Sequence, residues 1–353
     1  MQVLVLGGTG AMGTPLVKML SAEHQVYVTS RRERESTSNV HYIQGNARDI
    51  EFLKVVLSER RYDVVVDFMV HGASQFKQVA ELMLDSTDQY VFISSARVYS
   101  QSEEPITEET PRLLEASTDE EYLKTNEYAL AKAREEDLLR NSGKKNYTII
   151  RPTITYNTNR LQLGVLEKES WLYRALHGRT IVFSHDIASK LTTMTLGDDV
   201  AKGIASIVGK EGARGEVFHI TYGRSLSWYE VFDIYKRVLD KHLGKETPIV
   251  YTDKSTNLKL KGRKYQIIYC RYFNRTFDNS KIGAYCDVDD FTSPEEGLTN
   301  ALTEFLKKPR FSKIAWSIEA VNDRVTGEFT PLREIPRLKN KLRYLIYRFI
   351  KKL

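Results

Sequence analysis

Residues 1–152 alternate between short apolar runs and longer segments in which apolar positions recur every three or four residues. The short runs predict buried β-strands, and the longer segments predict amphipathic helices. Strands that alternate with helices in this way are typical of a parallel sheet with helices on both faces. The predicted strands cover 3–6, 26–29, 63–67, 90–94 and 147–151, and the predicted helices cover 11–21, 50–60, 75–85 and 120–141.

The first apolar run ends in glycines, at Gly7, Gly10 and Gly13, before helical spacing resumes. Glycine lets the backbone approach a pyrophosphate closely, at dihedral angles that a side chain would forbid, while the free N–H groups at the helix start face the anion. The pattern therefore predicts a dinucleotide-binding turn. An ordinary glycine turn is the alternative, because this spacing by itself has low specificity.

Tyr128 and Lys132 lie four residues apart in a predicted helix, so their side chains project from the same helix face. The lysine ammonium can there stabilise a phenolate. Such a tyrosine accepts a proton from a hydroxyl as hydride leaves the carbon, or donates one to a carbonyl in the reverse reaction. Ser95 follows predicted strand 90–94 and would hold the same oxygen. The alternative is that Tyr128 only packs its helix.

Together these segments resemble the extended short-chain dehydrogenase/reductase family, and the resemblance runs through most of residues 1–308. GGTGAMG at 7–13 looks like the cofactor turn of that family, and SSARVY at 94–99 is similar to the serine segment of UDP-galactose 4-epimerase and its relatives. Further segments match the family in order along the chain, at 150–152, 171–178, 196–201, 215–220, 277–281 and 294–298.

The resemblance implies a role for each of these residues. Ser95, Tyr128 and Lys132 become catalytic residues, with Tyr128 as acid and base and Lys132 as its partner, which also holds the nicotinamide ribose. Cofactor contacts are implied at Gly7, Gly10, Ala11, Met12, Gly13, Asn46, Ala47, Phe68 and Lys132.

The expected fold is α/β, a Rossmann-type doubly wound parallel sheet with a smaller C-terminal substrate lobe and a terminal amphipathic helix. The NAD(P)-binding domain covers 1–152, and 194–222 returns to it. The substrate lobe covers 153–193 and 223–308, and a basic C-terminal extension covers 309–353. Residues 102–119, rich in Glu, Thr and Pro, predict a long polar loop.

Cofactor choice is expected to depend on Ser30, Arg31 and Arg32, which follow the second strand. An NAD enzyme of this type carries an acid there that accepts hydrogen bonds from the ribose and repels a 2′-phosphate. The acid is absent, and two arginines can bind phosphate through charge-assisted hydrogen bonds. NADP is therefore the preferred cofactor, with NAD still allowed. In the alternative, both arginines are solvated beside Glu33 and Glu35.

The reaction class remains open between two members of the family. Dehydratases carry an Asp-Glu pair where this chain has Ala96 and Arg97, so dehydration is not expected. The serine segment favours an epimerase that retains NAD, whereas the cofactor loop favours an NADPH ketoreductase. The expected substrate is an activated sugar, in first place a nucleotide sugar, held by Ser95, Arg97, Tyr128 and Lys190. Relatives place an arginine that grips the diphosphate where this chain has Thr192, and the neighbouring Lys190 could replace it as a point charge.

Composition limits the other classes of function. The chain has 353 residues, of which 41% are hydrophobic, enough for a large core and two lobes. Two cysteines do not indicate a disulfide framework, so a cytoplasmic location is expected. The histidines lack the close pairing of a zinc site, so no metal is expected. No stretch approaches the roughly 20 apolar residues of a membrane span, and the first apolar run is too short for a signal peptide.

The net charge of +6 is concentrated at one end of the chain. Residues 336–353 contain seven basic residues and no acidic residue, which leaves 45 basic and 46 acidic residues elsewhere. The remainder therefore has no large positive field, and nucleic acid is not expected as a partner. A redox-sensing binding protein of the same fold is another alternative, against which the Tyr128 and Lys132 pair counts.

The same terminal segment predicts an amphipathic helix, because its apolar residues have the spacing of one helix face. Such a helix can lie in a membrane interface at the inner face of the membrane, or it can pack on the protein itself or on a second subunit. Both interpretations stay open, and the family resemblance implies a homodimer. The apolar residues are Leu338, Leu342, Leu345, Ile346, Phe349, Ile350 and Leu353.

Overall fold

A computed structural model describes residues 1–255 and 262–350 of the chain. The chain divides into two compact units. The first comprises Met1–Thr155, Thr193–Arg224 and Phe277–Thr292, and the second comprises the described residues of Tyr156–Thr192, Ser225–Thr276 and Ser293–Leu353. Residues 277–292 thus group with the first unit, and residues 309–350 group with the rest of the second unit instead of standing apart as an extension.

The described residues contain fifteen strands, most of the longer ones in the first unit. They are β1 (Gln2–Leu6), β2 (Gln25–Ser30), β3 (Val40–Gln44), β4 (Tyr62–Asp67), β5 (Thr87–Ile93), β6 (Tyr147–Pro152), β7 (Ile154–Tyr156), β8 (Gln162–Leu163), β9 (Leu166–Glu167), β10 (Ile181–Ser184), β11 (Leu191–Thr192), β12 (Met194–Leu196), β13 (Glu216–Ile220), β14 (Leu226–Ser227) and β15 (Ile249–Thr252).

The described residues also contain fifteen α-helices. They are α1 (Gly13–Leu20), α2 (Ile50–Glu59), α3 (Ala73–Ser86), α4 (Leu113–Ala116), α5 (Glu120–Leu123), α6 (Tyr128–Arg140), α7 (Leu172–Leu176), α8 (His185–Ala188), α9 (Gly197–Ile207), α10 (Trp228–Leu243), α11 (Lys264–Gln266), α12 (Ser280–Gly283), α13 (Pro294–Lys307), α14 (Trp316–Thr326) and α15 (Leu338–Leu345). Wider π-helical turns follow α11 and α15, at Ile267–Arg271 and Ile346–Ile350.

Seven strands of the first unit form one parallel sheet in the order β13-β6-β5-β4-β1-β2-β3. The strand order reverses between β1 and β4, where Val5 pairs with Val28 on one side and with Val66 on the other. A reversal of this kind leaves a crevice at the carboxyl ends of the strands. The glycine turn after β1 therefore lies where such a sheet binds its ligand.

Helices cover both faces of this sheet. Val3 and Val5 of β1 pack on the face covered by α1 and α9, whereas Leu4 and Leu6 pack on the face covered by α2, α3 and α6. A strand that is buried on both faces is apolar along its whole length instead of alternating. The predicted Rossmann-type, doubly wound fold class is confirmed, because strand order and layers both match it.

The predicted strands correspond to β1, β2, β4, β5 and β6, with differences at their ends. Strand β3 was not predicted, since it lies at the edge of the sheet and its residues are only partly buried, so it lacks a continuous apolar run. Strand β13 covers most of the segment at 215–220 that resembles the family.

The predicted helix over 120–141 is wrong as one continuous helix, because the chain leaves helical geometry between α5 and α6. Glu127 has an extended backbone, and its carboxylate accepts a hydrogen bond from Ala129 N at 2.8 Å. The Thr125 hydroxyl accepts one from Glu127 N at 3.2 Å. Polar side chains compete in this way with helix hydrogen bonds and favour a new helix start. Tyr128 thus becomes the first residue of α6.

Two smaller expectations are also corrected. The first helix begins at Gly13, two residues later than predicted. The predicted polar loop over 102–119 contains the one-turn helix α4 and buries Ile106 and Leu113. Arg112 holds this segment to α6 through ion pairs with Glu136 at 3.2 Å and Asp137 at 2.6 Å.

In the second unit, a buried arginine ties residues 316–328 to α7. Arg174 is fully buried and pairs with Glu319 at 2.8 Å, Asp323 at 2.7 Å and Glu328 at 2.7 Å. Burial raises the pKa of Glu319 to about 7, although the charges of Arg174 and Arg179 oppose the rise. Within 1–255 and 262–350, no helix has the length and apolar character needed to cross a bilayer.

Candidate active site

Glycine occupies each of the three motif positions for a different structural reason. Gly7 has φ 72°, and a Cβ there would lie 2.8 Å from Met69 Sδ. A Cβ on Gly13 would lie 2.6 Å from the Cα of Gly8, so the close approach of α1 to the turn requires glycine. Gly10 is exposed, and its nearest neighbour would be the Gly7 carbonyl oxygen at 3.9 Å. The protein's own packing does not require glycine at 10, as expected where a ligand approaches the backbone.

The residues after β2 form a cationic loop around a buried hydroxyl. Ser30 is buried, and its Oγ accepts hydrogen bonds from Arg32 N and Arg34 Nε, each at 3.3 Å. Arg31 and Arg32 are exposed. Arg34, which the sequence analysis did not single out, also places its guanidinium 5.7 Å from the ring centre of Tyr42. The loop after β2 therefore contains a third arginine. Its spacing of four residues from Ser30 was the signal for it in the sequence.

The remaining cofactor candidates lie near the ends of β1, β3 and β4. Phe68 is half-buried, and its N–H donates to the Leu6 carbonyl at 3.0 Å, directly before the glycine turn. Asn46 is exposed and accepts from Arg48 N at 3.3 Å, whereas Ala47 is buried. Ala11 and Met12 are half-buried within the turn.

The serine segment begins where β5 ends. Ser94 is buried and donates through its hydroxyl to Glu136 Oε1 at 2.5 Å. Ser95 is also buried, and its Oγ accepts from Arg97 N at 3.2 Å, which starts a single 3₁₀ turn over Ala96–Val98. The Ser95 hydroxyl keeps its own proton as a donor in this arrangement.

Arg97 joins the serine segment to the start of α6. Its Cζ lies 5.2 Å from the ring centre of Tyr128, and its guanidinium forms a short ion pair with Glu127. Tyr128 is 38% exposed, whereas Lys132 is 2% exposed. The structure thus brings the segment of Ser95 together with the first turn of α6 and leaves the tyrosine accessible from solvent.

Lys132 points into the protein towards a carboxylate that the sequence analysis missed. Its Nζ lies 2.9 Å from Glu135 Oε2 and 4.5 Å from the ring centre of Phe92. Burial raises the pKa of the Glu135 carboxyl, and the charge and hydrogen bond of Lys132 oppose that rise. The ammonium has three N–H donors and Glu135 Oε2 faces one of them, so the other two can serve a ligand.

A second buried carboxylate, that of Asp67, lies at the carboxyl end of β4. Asp67 Oδ2 accepts from the Tyr90 hydroxyl and contacts His71 Nε2, both at 2.8 Å, and Oδ1 accepts from Met69 N at 2.8 Å. Burial and the neighbouring Asp67 raise the pKa of Tyr90 well above its usual value. These bonds hold the loop between β4 and α3. A charged residue that ends an apolar strand was the available signal in the sequence.

A third buried network fixes α6 against the sheet. Arg151, at the end of β6, donates to both carboxylate oxygens of Glu136, at 2.9 and 2.6 Å. Burial by itself would raise the pKa of Glu136, but the hydrogen bonds and charge of Arg151 outweigh burial and hold that pKa below its ordinary value. Because Glu136 lies one turn beyond Lys132, the network sets the position of the first turns of α6.

Lys190, the remaining substrate candidate, lies in the second unit between α8 and β11. It is half-buried, and its backbone is held by hydrogen bonds to Ile187 at 2.9 Å and from Trp228 at 3.2 Å. Its ammonium forms no ion pair with the described residues. The part of the chain that the structure describes contains no cluster of residues able to hold a metal, and both cysteines are free thiols.

These features fit a dinucleotide. The open space at Gly10 and the available donors of the buried Lys132 are what such a ligand would occupy. The glycine turn would hold the pyrophosphate, the loop after Ser30 would hold the adenosine ribose, and Lys132 would hold the nicotinamide ribose.

Comparison with known proteins agrees with this class of fold. UDP-glucuronic acid 4-epimerase from Bacillus cereus, crystallised with UDP-glucuronic acid and NAD, superposes with a TM-score of 0.64 at 17% identity. The match covers 88% of this chain and 100% of that chain. The fold is that of the extended short-chain dehydrogenase/reductases. A family model described as NAD(P)H-binding matches residues 7–208, and the chain belongs to that family.

Two curated relatives are similar over part of their length. Chloroplast stem-loop binding protein of 41 kDa b from Arabidopsis thaliana is 25% identical over 236 residues, 62% of this chain and 58% of the relative. The 2′-dehydrokanamycin reductase of Streptomyces kanamyceticus is 24% identical over 243 residues, 66% of this chain and 65% of the relative. The chain thus spans less than two thirds of either relative.

Proposed function

We propose that the protein is an NADPH-dependent ketoreductase that acts on the keto carbon of an activated sugar. The observation that carries the proposal is the environment of Tyr128. The ring is accessible at the start of α6, and the buried Lys132 follows one helical turn later. Arg97, two residues after Ser95, places its guanidinium carbon 5.2 Å from the centre of the ring. An accessible phenol that follows a serine segment and precedes a buried lysine supports proton transfer at a sugar oxygen.

Each residue would have a separate task in the reaction. Tyr128 would donate a proton to the carbonyl oxygen of the substrate, and the Ser95 hydroxyl would donate a hydrogen bond to the same oxygen. Lys132 would favour the phenolate that remains, while Glu135 keeps the ammonium in place. When bound, NADPH supplies the hydride that reaches the carbonyl carbon.

The preference for NADPH rests on the loop after β2. Ser30 occupies the position of the usual acid, and Arg31, Arg32 and Arg34 supply three guanidinium groups. Guanidinium groups bind phosphate through charge-assisted hydrogen bonds, so a 2′-phosphate would find partners there. The relative from Streptomyces kanamyceticus is named as a reductase, which supports the same direction of reaction.

For the substrate, we propose a sugar that carries phosphate. Arg97 lies beside Tyr128, and its Nε is buried without a hydrogen bond to the described residues. Lys190, a half-buried cation, is the second candidate from the sequence. Either group would bind an oxygen of the phosphate or of the sugar.

The second candidate is an epimerase that retains NAD. The serine segment favours it, and the structural neighbour from Bacillus cereus is named as a 4-epimerase crystallised with NAD. The Arabidopsis relative is named as a stem-loop binding protein, so binding of nucleic acid is a competing function. We propose no such partner, because the excess of basic residues is confined to 336–353.

Nucleotide content and turnover test the proposal together. The protein is purified without added nucleotide, and any bound nucleotide is released under mild conditions. Mass spectrometry then identifies the released nucleotide. A protein that is empty, binds NADPH and oxidises it with a keto-sugar nucleotide supports the ketoreductase. Retained NAD with interconversion of sugar epimers supports the epimerase, and a folded protein that binds neither nucleotide overturns both.

A further inference from the structure

The C-terminal helix is anchored to the second unit by one of its faces. Tyr344 is fully buried, donates to Asp323 Oδ2 at 2.6 Å and accepts from Thr330 N at 2.9 Å. Arg348 donates to the Glu328 carbonyl at 3.1 and 3.3 Å. These bonds fix which face of α15 and of the following turn points away from the protein.

The opposite face carries a continuous stripe of exposed apolar side chains. Ten large apolar side chains are exposed in the described residues, and five of them lie within 338–350. They recur at the spacing of one helix face, over about 20 Å of helix. We call them the apolar stripe: Leu338 (72% exposed), Leu342 (52%), Ile346 (44%), Phe349 (62%) and Ile350 (75%).

The helix packing does not explain this stripe. Side chains of the same helix that face α14 already make the contacts that hold it, with Tyr344 at their centre. Phe329 is also exposed and extends the apolar surface, with its ring centre 6.3 Å from that of Phe349. Apolar side chains gathered in one exposed patch mark an interaction surface, whereas single exposed ones need no explanation.

The positive charge beside the apolar stripe indicates which kind of partner fits it. Lys339 and Arg343 line the same surface recess as Leu338, Leu342 and Ile346. The sequence from 336 to 353 holds seven basic residues and no acidic one. A second copy of the chain, paired through the same patch about a two-fold axis, would bring these cations against one another. An anionic surface with an apolar interior would instead match both the cations and the stripe.

We propose that the apolar stripe docks on an anionic lipid bilayer. The helix would lie parallel to the surface, with Leu342, Ile346 and Phe349 at the boundary of the acyl chains and Lys339 and Arg343 near the lipid phosphates. The stripe needs no refolding for this contact, because it is already exposed in the anchored helix. The proposal is independent of the reaction proposed above.

Flotation of the full chain with lipid vesicles tests the proposal. One set of vesicles contains phosphatidylcholine only, and the other also contains phosphatidylglycerol. We expect flotation with the anionic vesicles at low salt, less at physiological salt, and little with the neutral vesicles, because exposed charges are screened by salt. A chain that fails to float with anionic vesicles at low salt overturns the proposal.

Variants separate the stripe from non-specific adhesion. The triple variant Leu342→Ser, Ile346→Ser and Phe349→Ser should reduce binding to anionic vesicles by about tenfold or more, since it removes apolar area that the bilayer would bury. Val55→Ser changes an exposed apolar residue of α2 and should bind like the parent chain. Equal flotation of the triple variant and the parent overturns the proposal.

A measurement of mass in solution completes the test. If the parent chain is a dimer that does not float and the triple variant is a monomer, then a second copy covers the stripe and the lipid proposal is wrong. Denaturant unfolding of the triple variant should match that of the parent chain. That control distinguishes a lost membrane contact from a lost fold, and it does not depend on the proposed reaction.

Discussion

Lys132 Nζ lies 2.9 Å from Glu135 Oε2, and both side chains are 3% exposed. A buried ion pair of this kind is costly to break from one side, because the remaining charge loses its partner. The pair also holds in place the lysine of the proposed active site. Glu135 is therefore a positioning residue. Its removal should lower the stability of the fold and also the activity, and the two effects can be measured apart from each other.

Glu135→Gln should lower the free energy of unfolding by about 3–5 kcal/mol, the usual cost of leaving a buried charge unpaired. The double variant Glu135→Gln with Lys132→Met should recover much of that loss while remaining inactive, since the charge itself is gone. Denaturant unfolding of the parent, both single variants and the double variant measures the coupling. Additive effects would show that the two groups do not interact.

Tyr128→Phe removes the hydroxyl and keeps the ring on which Arg97 stacks. Turnover should fall by about 100-fold or more, as expected when a positioned proton donor is lost. NADPH affinity should stay close to that of the parent, because the phenol would meet the substrate and not the pyrophosphate. Near-normal turnover would remove Tyr128 from the mechanism.

Gly10→Ala and Gly13→Ala form a matched pair with opposite expectations. The Cβ at 10 enters open space, so stability should change by less than about 0.5 kcal/mol while NADPH binding weakens. The Cβ at 13 meets the backbone of Gly8, so stability should fall by about 1–3 kcal/mol. Unfolding curves and fluorescence titration measure the two effects. Unchanged NADPH binding in Gly10→Ala would contradict a ligand at this turn.

Replacing Arg31 and Arg32 with alanine should weaken NADPH binding by about tenfold or more, since one charge-assisted hydrogen bond contributes about 1.5–3 kcal/mol. NADH binding should be nearly unchanged, because NADH lacks the 2′-phosphate. Arg34→Ala, measured separately, shows whether the arginine that bonds Ser30 shares this task. Equal losses for both nucleotides would mean that these arginines are solvated loop charges.

His219 predicts a pH effect on stability. Burial lowers the pKa of this histidine, although the Glu108 carboxylate opposes the change. The Tyr99 hydroxyl lies 3.2 Å from Nδ1, and the Asp278 carbonyl lies 2.7 Å from Nε2.

The unfolded chain therefore binds this proton more readily than the folded chain. The stabilisation is complete above the ordinary histidine pKa of about 6.5 and is lost as pH falls through the lowered value. Denaturant unfolding between about pH 7 and pH 5 should show this loss in the parent chain and a smaller loss in His219→Gln. The same slope in both proteins would assign the effect to other groups.

Local patterns in the sequence predicted five of the seven strands of the sheet and are the basis of the chemistry proposed for the site. Strands buried on both faces must be apolar along their whole length, so β1, β4 and β6 were visible as runs. The glycine turn involves only residues close together in the sequence, and so does the placement of Tyr128 and Lys132 on one helix face. Such features follow from steric and helical geometry, which the sequence states directly.

Other features depended on contacts between distant residues. The edge strand β3 is defined by its pairing with β2, and the break before Tyr128 depends on side chains that cap backbone groups. The direction of Lys132 depends on Glu135, on the same helix, and on Phe92 of the sheet. The periodicity of 338–350 predicted an amphipathic helix, but Tyr344 decided which face is buried. Burial is a property of packing, so only the tertiary structure could show that the apolar stripe remains exposed.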